Sequence, residues 1–359
     1  SGDLAPLAHL CLPLIGEGEV FVNGERLPAS VLAERFGWPP LELEPKEGLA
    51  LINGTQLMSA YGATLVERME RLWDWANALA ALSLEVYRCN HEPFAEPLQR
   101  IRRHAGQTAA AQAIRELRAG SGLVPMPESV QDPYAFRCVP QVQGAVRDGL
   151  DFVHRTVFDE LNSISDNPNI FVEEEQILAG GNFHGQAIAN ALDHLGLLMA
   201  QLGNIAERRV FKLLAGQRGL PPFLTQQPGE ASGLMILQYT AAALVNELKH
   251  QAAPHAHDSI PSSDGQEDVV SMGANAALKR WAMLPNLERI LAIEWLHAAQ
   301  ALDFRRPAHT TPPLERLHER LREVVPQATA DQPWHWAIEA TRHLLLSTEA
   351  PLPQRETLS

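Results

Sequence analysis

The stretch IANALDHLGLLMAQLGNIAERRVFKLL, residues 188–214, decides the fold. Leu192, Leu195, Met199, Leu202 and Ile205 recur at steps of three and four residues. That spacing gathers them on one face of an α-helix and predicts a long helix from Ile188 to Leu214. A face so continuously apolar must be buried, and the simplest cover is another helix of similar length.

Such helices are legible on both sides. Leu65, Met69, Leu72, Trp73, Leu79 and Leu82 form a second apolar stripe on a helix beginning near Thr55. A third long helix is expected from about Val139 to Leu161, and others near Ser232–Gln251, Ala274–Met283 and Leu287–Leu302. Arg100–Arg118 reads as a more exposed helix. The stretch from Asn90 to Pro97 reads as a turn, and the Gly-, Pro- and Ser-rich segment from Gly120 to Asp132 as a loop. Strand signals are few. Residues 16–28 suggest a hairpin turning at Asn23-Gly24, the positive-φ pair such a turn needs. A short helix should follow, from Ser30 to a stop at Gly37, and Ile170–Leu178 reads as a second small hairpin. The class is mainly α: a bundle of long antiparallel helices with one or two short β-hairpins.

Composition sets limits on function. The chain has 359 residues, 45% of them hydrophobic and 20% charged, with a net charge of −14. That balance is the one of a soluble globular protein. The negative charge disfavours nucleic acid and anionic membranes, which need clustered Lys and Arg. No apolar run reaches membrane-spanning length. Cys11, Cys89 and Cys138 are too few and too unpaired for a disulfide framework, which points to the cytoplasm. His255 and His257 supply two imidazoles where a zinc site needs three or four ligands, so no metal is expected.

Six short motifs carry polar groups suited to chemistry, and each has a plain structural alternative. Ser1-Gly2-Asp3 could be a helix cap or a turn. Asn53-Gly54-Thr55-Gln56 lies at a loop-to-helix junction, either offering an amide to a pocket or simply forming an Asn-Gly turn with Thr55 as N-cap. In Gln131-Asp132-Pro133-Tyr134-Ala135-Phe136-Arg137, Tyr134 can exchange a proton and Arg137 can bind a carboxylate through two parallel hydrogen bonds, unless it is structurally ion-paired. Ser165-Asp166-Asn167-Pro168 reads best as an Asx-type turn. Gly180-Gly181-Asn182-Phe183-His184 leads into the long helix. Gln266-Glu267-Asp268 offers a carboxylate that could accept an imidazole N–H, or one that merely sits in solvent.

Taken together, these motifs and the nine-residue run Ser1-Gly2-Asp3-Leu4-Ala5-Pro6-Leu7-Ala8-His9 resemble the histidine and phenylalanine/tyrosine ammonia-lyases. The resemblance covers nearly all of residues 1–305 and fades beyond them. It implies an ammonia-lyase core over 1–305, with the electrophile loop at 1–9 and the helical bundle at about 55–305. Residues 306–359 are expected to form a small C-terminal helical cap. In that family an Ala-Ser-Gly tripeptide cyclises and loses two waters, giving 4-methylidene-imidazole-5-one (MIO), an electrophile that no ordinary side chain provides. Ser1 and Gly2 match the last two members. The Ala, and a mobile-loop Tyr serving as the β-proton base, are then expected from a segment outside these residues, whether continuous with them or on a separate N-terminal chain.

By the same resemblance, Asn53 and Tyr134 flank the electrophile, Arg137 holds the substrate carboxylate, and Gln131 and Phe183 line the pocket. Glu267 reads the substrate side chain, because a carboxylate suits an imidazole and the Gln of phenylalanine-type members does not. Histidine-type members continue Glu-Asp-His-Val, whereas this chain has Val269 after Asp268, as tyrosine-type relatives also do. The implied activity is non-oxidative elimination of ammonia from an aromatic amino acid, with L-histidine to trans-urocanate favoured. A tyrosine or phenylalanine lyase, or an aminomutase, is the alternative. The implied assembly is a homotetramer with active sites shared between subunits. A non-catalytic helical subunit would fit a chain without the Ala, but the full set Asn53, Tyr134, Arg137 and Glu267 opposes it.

Overall fold

The computed structural model describes residues 2–126 and 130–352. In chain order it contains α1 (Leu4–Cys11), β1 (Glu19–Val22), β2 (Glu25–Pro28), α2 (Val31–Phe36), α3 (Glu47–Ile52), α4 (Gln56–Val86), α5 (Glu96–Arg100), α6 (Ala105–Arg118), α7 (Tyr134–Arg137) and α8 (Val139–Leu161). There follow β3 (Asn169–Phe171), β4 (Gln176–Leu178), α9 (Gln186–Leu213), α10 (Met235–Gln251), α11 (Gly273–Asp303), α12 (Pro312–Val324) and α13 (His335–Ser347). The protein is therefore mainly α, with two short antiparallel hairpins among the described residues. In the first, Val22 pairs with Glu25 across Asn23 and Gly24, whose φ values of 52° and 85° are those the sequence demanded.

The chain divides into two compact units. The first comprises residues 1–65, 153–194 and 254–281. Its core gathers around Met58, which is 1% exposed. Cβ atoms built on Gly185 and Gly273 would each lie 2.5 Å from the Met58 sulfur, so the two loop-to-helix junctions entering α9 and α11 both pack directly on this side chain. Val157, Ile188, Ala189, Ala276 and Ala277 are buried with it. Tyr61 and Trp281 meet edge to face at 5.5 Å.

The second unit comprises residues 66–152, 195–253 and 282–359. Its core contains Leu72, Trp73, Leu79 and Leu82 from α4, Leu195, Met199 and Leu202 from α9, and Leu287, Ile290 and Trp295 from α11, each at most 2% exposed. Trp75 packs on Trp295 at 4.8 Å, and the Trp73 indole N–H donates to the Gln143 carbonyl at 2.6 Å. Helices α6 and α8 touch backbone to backbone: a Cβ on Gly106 would lie 2.1 Å from the Gly144 carbonyl oxygen, an approach only glycine allows. Arg209 is fully buried against Glu294, with Nε donating to Oε1 at 2.5 Å and Nη2 to Oε2 at 2.8 Å, and the Ser83 hydroxyl completes the carboxylate. That completion is what a charge in a dry core requires.

The structure departs from the sequence reading in several places. The helices expected at Ala274–Met283 and Leu287–Leu302 are one helix, α11, which runs through Pro285. An internal proline costs about 3 kcal/mol. Met283, Leu284, Leu287, Ile290 and Leu291 flank it with no exposure. At about 1.5–3 kcal/mol for each buried side chain, their burial outweighs the missing hydrogen bond. The helix expected from Arg100 begins only at Ala105, and it buries Ala110, Ala111, Ile114 and Leu117 rather than lying exposed. Helix α3 was not foreseen; its six residues, EGLALI, are too few to display a period.

Candidate active site

The first unit holds the start of the chain against the loop between α3 and α4. The Asp3 N–H donates to the Gly54 carbonyl at 2.7 Å. A Cβ on Gly2 would lie 3.0 Å from that carbonyl oxygen, 3.2 Å from Gly54 N and 3.4 Å from Asn53 Oδ1. Gly2 is thus pressed on the Asn53-Gly54 peptide with the Asn53 amide beside it. Ser1 lies outside the described residues. Thr55 is not the cap of α4. Its hydroxyl donates instead to Glu160 at 2.5 Å, and Asp3 takes over the helix start, Oδ2 accepting the Met58 N–H at 2.9 Å. The second Asp3 oxygen is buried with no hydrogen-bond partner. Burial pushes the Asp3 carboxyl above its ordinary value of 3.8, an effect partly offset by the Met58 and Leu57 N–H groups.

A raised folded-state pKa makes Asp3 neutral at low pH at no cost, while ionising it in the fold becomes unfavourable as pH climbs. Its contribution to stability is therefore full below 3.8 and is lost as pH rises through the folded value. Asp3→Asn keeps an acceptor for Met58 and cannot ionise. It is expected to melt above the native protein at pH 7, with the difference shrinking as pH falls toward 3.8, measured by thermal unfolding across that range.

Phe183 is half-buried in the turn that leads into α9. This turn is tied to the Ser165–Pro168 segment by the Gly180 N–H donating to Asn167 Oδ1 at 2.7 Å, and to the loop before α11 by His184 Nε2 at 3.1 Å from the Val269 carbonyl. Ser165 also reaches the Asn53 loop: a Cβ on Gly54 would lie 2.7 Å from its hydroxyl. Glu267 is exposed. Its Oε2 accepts the Ser262 hydroxyl at 2.9 Å, and its backbone pairs with Ser262 in both directions. The Ser262 and Ser263 hydroxyls hold its carboxyl below the usual range. None of its hydrogen bonds among the described residues goes to another candidate.

In the second unit, buried Asp132 fixes the Gln131–Arg137 motif. Its carboxylate accepts the Asn90 N–H at 2.8 Å and Arg218 Nη1 at 2.7 Å. Pro133 then opens α7, a single turn. Phe136, fully buried, stacks on Tyr87 at 4.4 Å. With Phe136 anchored inward, Tyr134 faces outward at 70% exposure, and the Arg137 guanidinium lies 4.7 Å over its ring. Arg137 makes no ion pair among the described residues, and its Nε is buried without a hydrogen-bond partner. Arg137 and Gln131 line a cavity of about 500 Å³ with Asn90, Cys138 and Gln141. Tyr134 lines a larger one of about 700 Å³ with Cys138, Gln141, Asn204, Arg208 and Phe211. A neutral aromatic platform carrying an unsatisfied guanidinium at a cavity wall is suited to binding a small carboxylate.

Asp3, Asp132 and Ser165 are the participants that sequence reasoning passed over. All three stood inside the motifs above, and only the burial of Asp3 and Asp132 and the approach of Ser165 to Gly54 reveal that they organise the neighbouring residues. Among the described residues no group of three His, Cys, Asp or Glu side chains could hold a metal ion, and no helix is long and apolar enough to cross a membrane.

Residues 1–323 match the model of the aromatic amino acid lyases. The chain belongs to that family. It is 49% identical to a histidine ammonia-lyase of Stigmatella aurantiaca over 353 residues, which are 97% of this chain and 69% of that protein. A histidine ammonia-lyase of Symbiobacterium thermophilum is 47% identical over 97% of this chain and 69% of its own length. Among solved structures, histidine ammonia-lyase from Trypanosoma cruzi superimposes with a TM-score of 0.91 at 40% identity, covering 96% of this chain and 67% of that one. Tyrosine aminomutase from Streptomyces globisporus gives 0.91 at 39% identity, covering 96% and 70%. As an aromatic amino acid lyase, the protein is a carbon–nitrogen lyase.

Proposed function

We propose that this lyase eliminates ammonia from L-histidine to give trans-urocanate. The observation that carries the reading is Glu267, an exposed carboxylate steadied by the Ser262 hydroxyl at 2.9 Å, in a chain 49% identical to a histidine ammonia-lyase. An ionised carboxylate accepts an imidazole N–H strongly and offers nothing to a benzene ring.

The residues present fit the protein-derived group of the family. Gly2, where a Cβ would crowd the Gly54 peptide, and the Asn53 amide beside it favour a backbone-derived ring formed with Ser1. MIO would supply an electrophilic carbon able to activate the substrate amine. The remaining roles fall to side chains of this chain. Arg137 binds the substrate carboxylate through its unsatisfied guanidinium edge. The Tyr134 hydroxyl, carried on the ring beneath that guanidinium, moves a proton at the departing amino nitrogen. Asn53 orients the amine, Gln131 lines the cavity beside Arg137, Phe183 contacts the substrate, and Glu267 fixes the imidazole. The family resemblance and the exposed apolar side chains, Tyr134 and Phe211 among them, support a homotetramer with shared sites. Three free cysteines support a cytoplasmic setting.

Glu267→Gln tests the reading. It is expected to lower kcat/KM for histidine about 10–100-fold, the worth of one charged hydrogen bond, and to change the constants for tyrosine and phenylalanine little. Equal losses on all three substrates would remove Glu267 as the specificity residue. The second reading, a tyrosine lyase or aminomutase, rests on Val269 after Asp268; product analysis separates it, since an aminomutase returns a β-amino acid.

A further inference from the structure

We infer that Asp193 is a positioning residue for substrate recognition, acting through the loop that carries Glu267; the inference rests on the reading of Glu267 above. Residues 254–272 reach α11 with only a single 3₁₀ turn, Ser263–Gly265, as helix. A segment of that length without regular structure needs anchors if it is to hold one side chain in place.

Its anchors are few and fall at its two ends. At the start, Asp193 of α9 extends Oδ2 to the backbone N–H groups of His255 and Ala256, at 2.6 and 2.7 Å. Oδ1 of the same carboxylate accepts Arg280 Nη2 at 2.6 Å, and Arg280 Nε donates to the Leu192 carbonyl at 3.0 Å. Arg280 is fully buried in α11, beyond the far end of the loop, and Asp193 is 8% exposed. One carboxylate therefore ties α9, the start of the loop and the helix after it. Gln186 adds a bond from Nε2 to the Ala256 carbonyl at 2.9 Å. Toward the other end, His184 meets the Val269 carbonyl and the Val270 N–H donates to the Ser259 hydroxyl at 2.8 Å. Glu267 sits between these two sets of fastenings.

The three donors around Asp193 require an acceptor on both oxygens, which only the ionised carboxylate provides. An amide at this position would turn an N–H toward either the loop backbone or the buried guanidinium. The loop would loosen at its start, and Glu267 would lose its fixed distance to the imidazole while the groups that carry the chemistry stayed in place.

The test compares the native protein with Asp193→Asn, Glu267→Gln and the double variant, using steady-state kinetics on L-histidine and hydrogen exchange of residues 257–270. Asp193→Asn is expected to raise KM about ten-fold with a smaller change in kcat, to speed exchange across the loop, and to add little to KM once Glu267 is already Gln, because the two act through one contact. A loss confined to kcat, a KM effect retained in full in the Glu267→Gln background, or unchanged loop exchange would each overturn the inference. If Glu267→Gln alone leaves the histidine constants untouched, the Glu267 reading fails and so does the proposed route, while loop exchange still judges the anchoring by itself. Should Asp193→Asn not fold, Gln186→Leu removes the Ala256 bond, together with one to Asn190 inside α9 that does not touch the loop, and is expected to give the same pattern at about three-fold in KM; no change in KM or in loop exchange there would likewise refute it.

Discussion

Arg137→Ala is expected to reduce kcat/KM for L-histidine by about three orders of magnitude, the scale of losing one partner of a desolvated charge pair. Arg137 has a guanidinium nitrogen buried without a partner, no ion pair among the described residues, and a place on a cavity wall beside Gln131. A structural arginine in such a position would be ion-paired, as Arg209 is with Glu294 or Arg118 with Glu85. The fold should survive the substitution, since α7 is held by Phe136 on Tyr87 and by Asp132 on Arg218. Circular dichroism and melting temperature would therefore stay near native while turnover collapses. Near-normal kinetics would refute the assignment.

Tyr134→Phe is the second large effect. The hydroxyl is the only atom lost, and the ring continues to carry the Arg137 guanidinium at 4.7 Å. Removal of a proton-transfer group costs about 10²–10⁴ in rate, so kcat should fall by about that factor with KM changed little. A KM effect at constant kcat would instead make Tyr134 a binding contact, and no effect would remove it from the site.

Much of this architecture was legible because long helices advertise their buried faces. The limits read for Val139–Leu161 coincide with α8, and the apolar stripe Leu192 to Ile205 is buried along its length. Legibility failed where a local rule lost to tertiary packing, as at Pro285, or where a segment was too short to show a period, as in α3. Around the site the same division holds. Arg137 and Tyr134 announce their chemistry by residue type. The cap that Asp3 places on α4 spans 55 positions, and the carboxylate of Asp193 reaches a loop 62 positions away. Partners so remote are joined only by the fold, and a linear motif cannot display them.

The most direct test of the central claim is to supply the native protein with L-histidine and measure urocanate and ammonia together. Formation of both in equal amounts, at a kcat/KM well above those for tyrosine and phenylalanine, is the result predicted. Turnover of tyrosine or phenylalanine with histidine left intact, or recovery of a β-amino acid in place of urocanate, would contradict it.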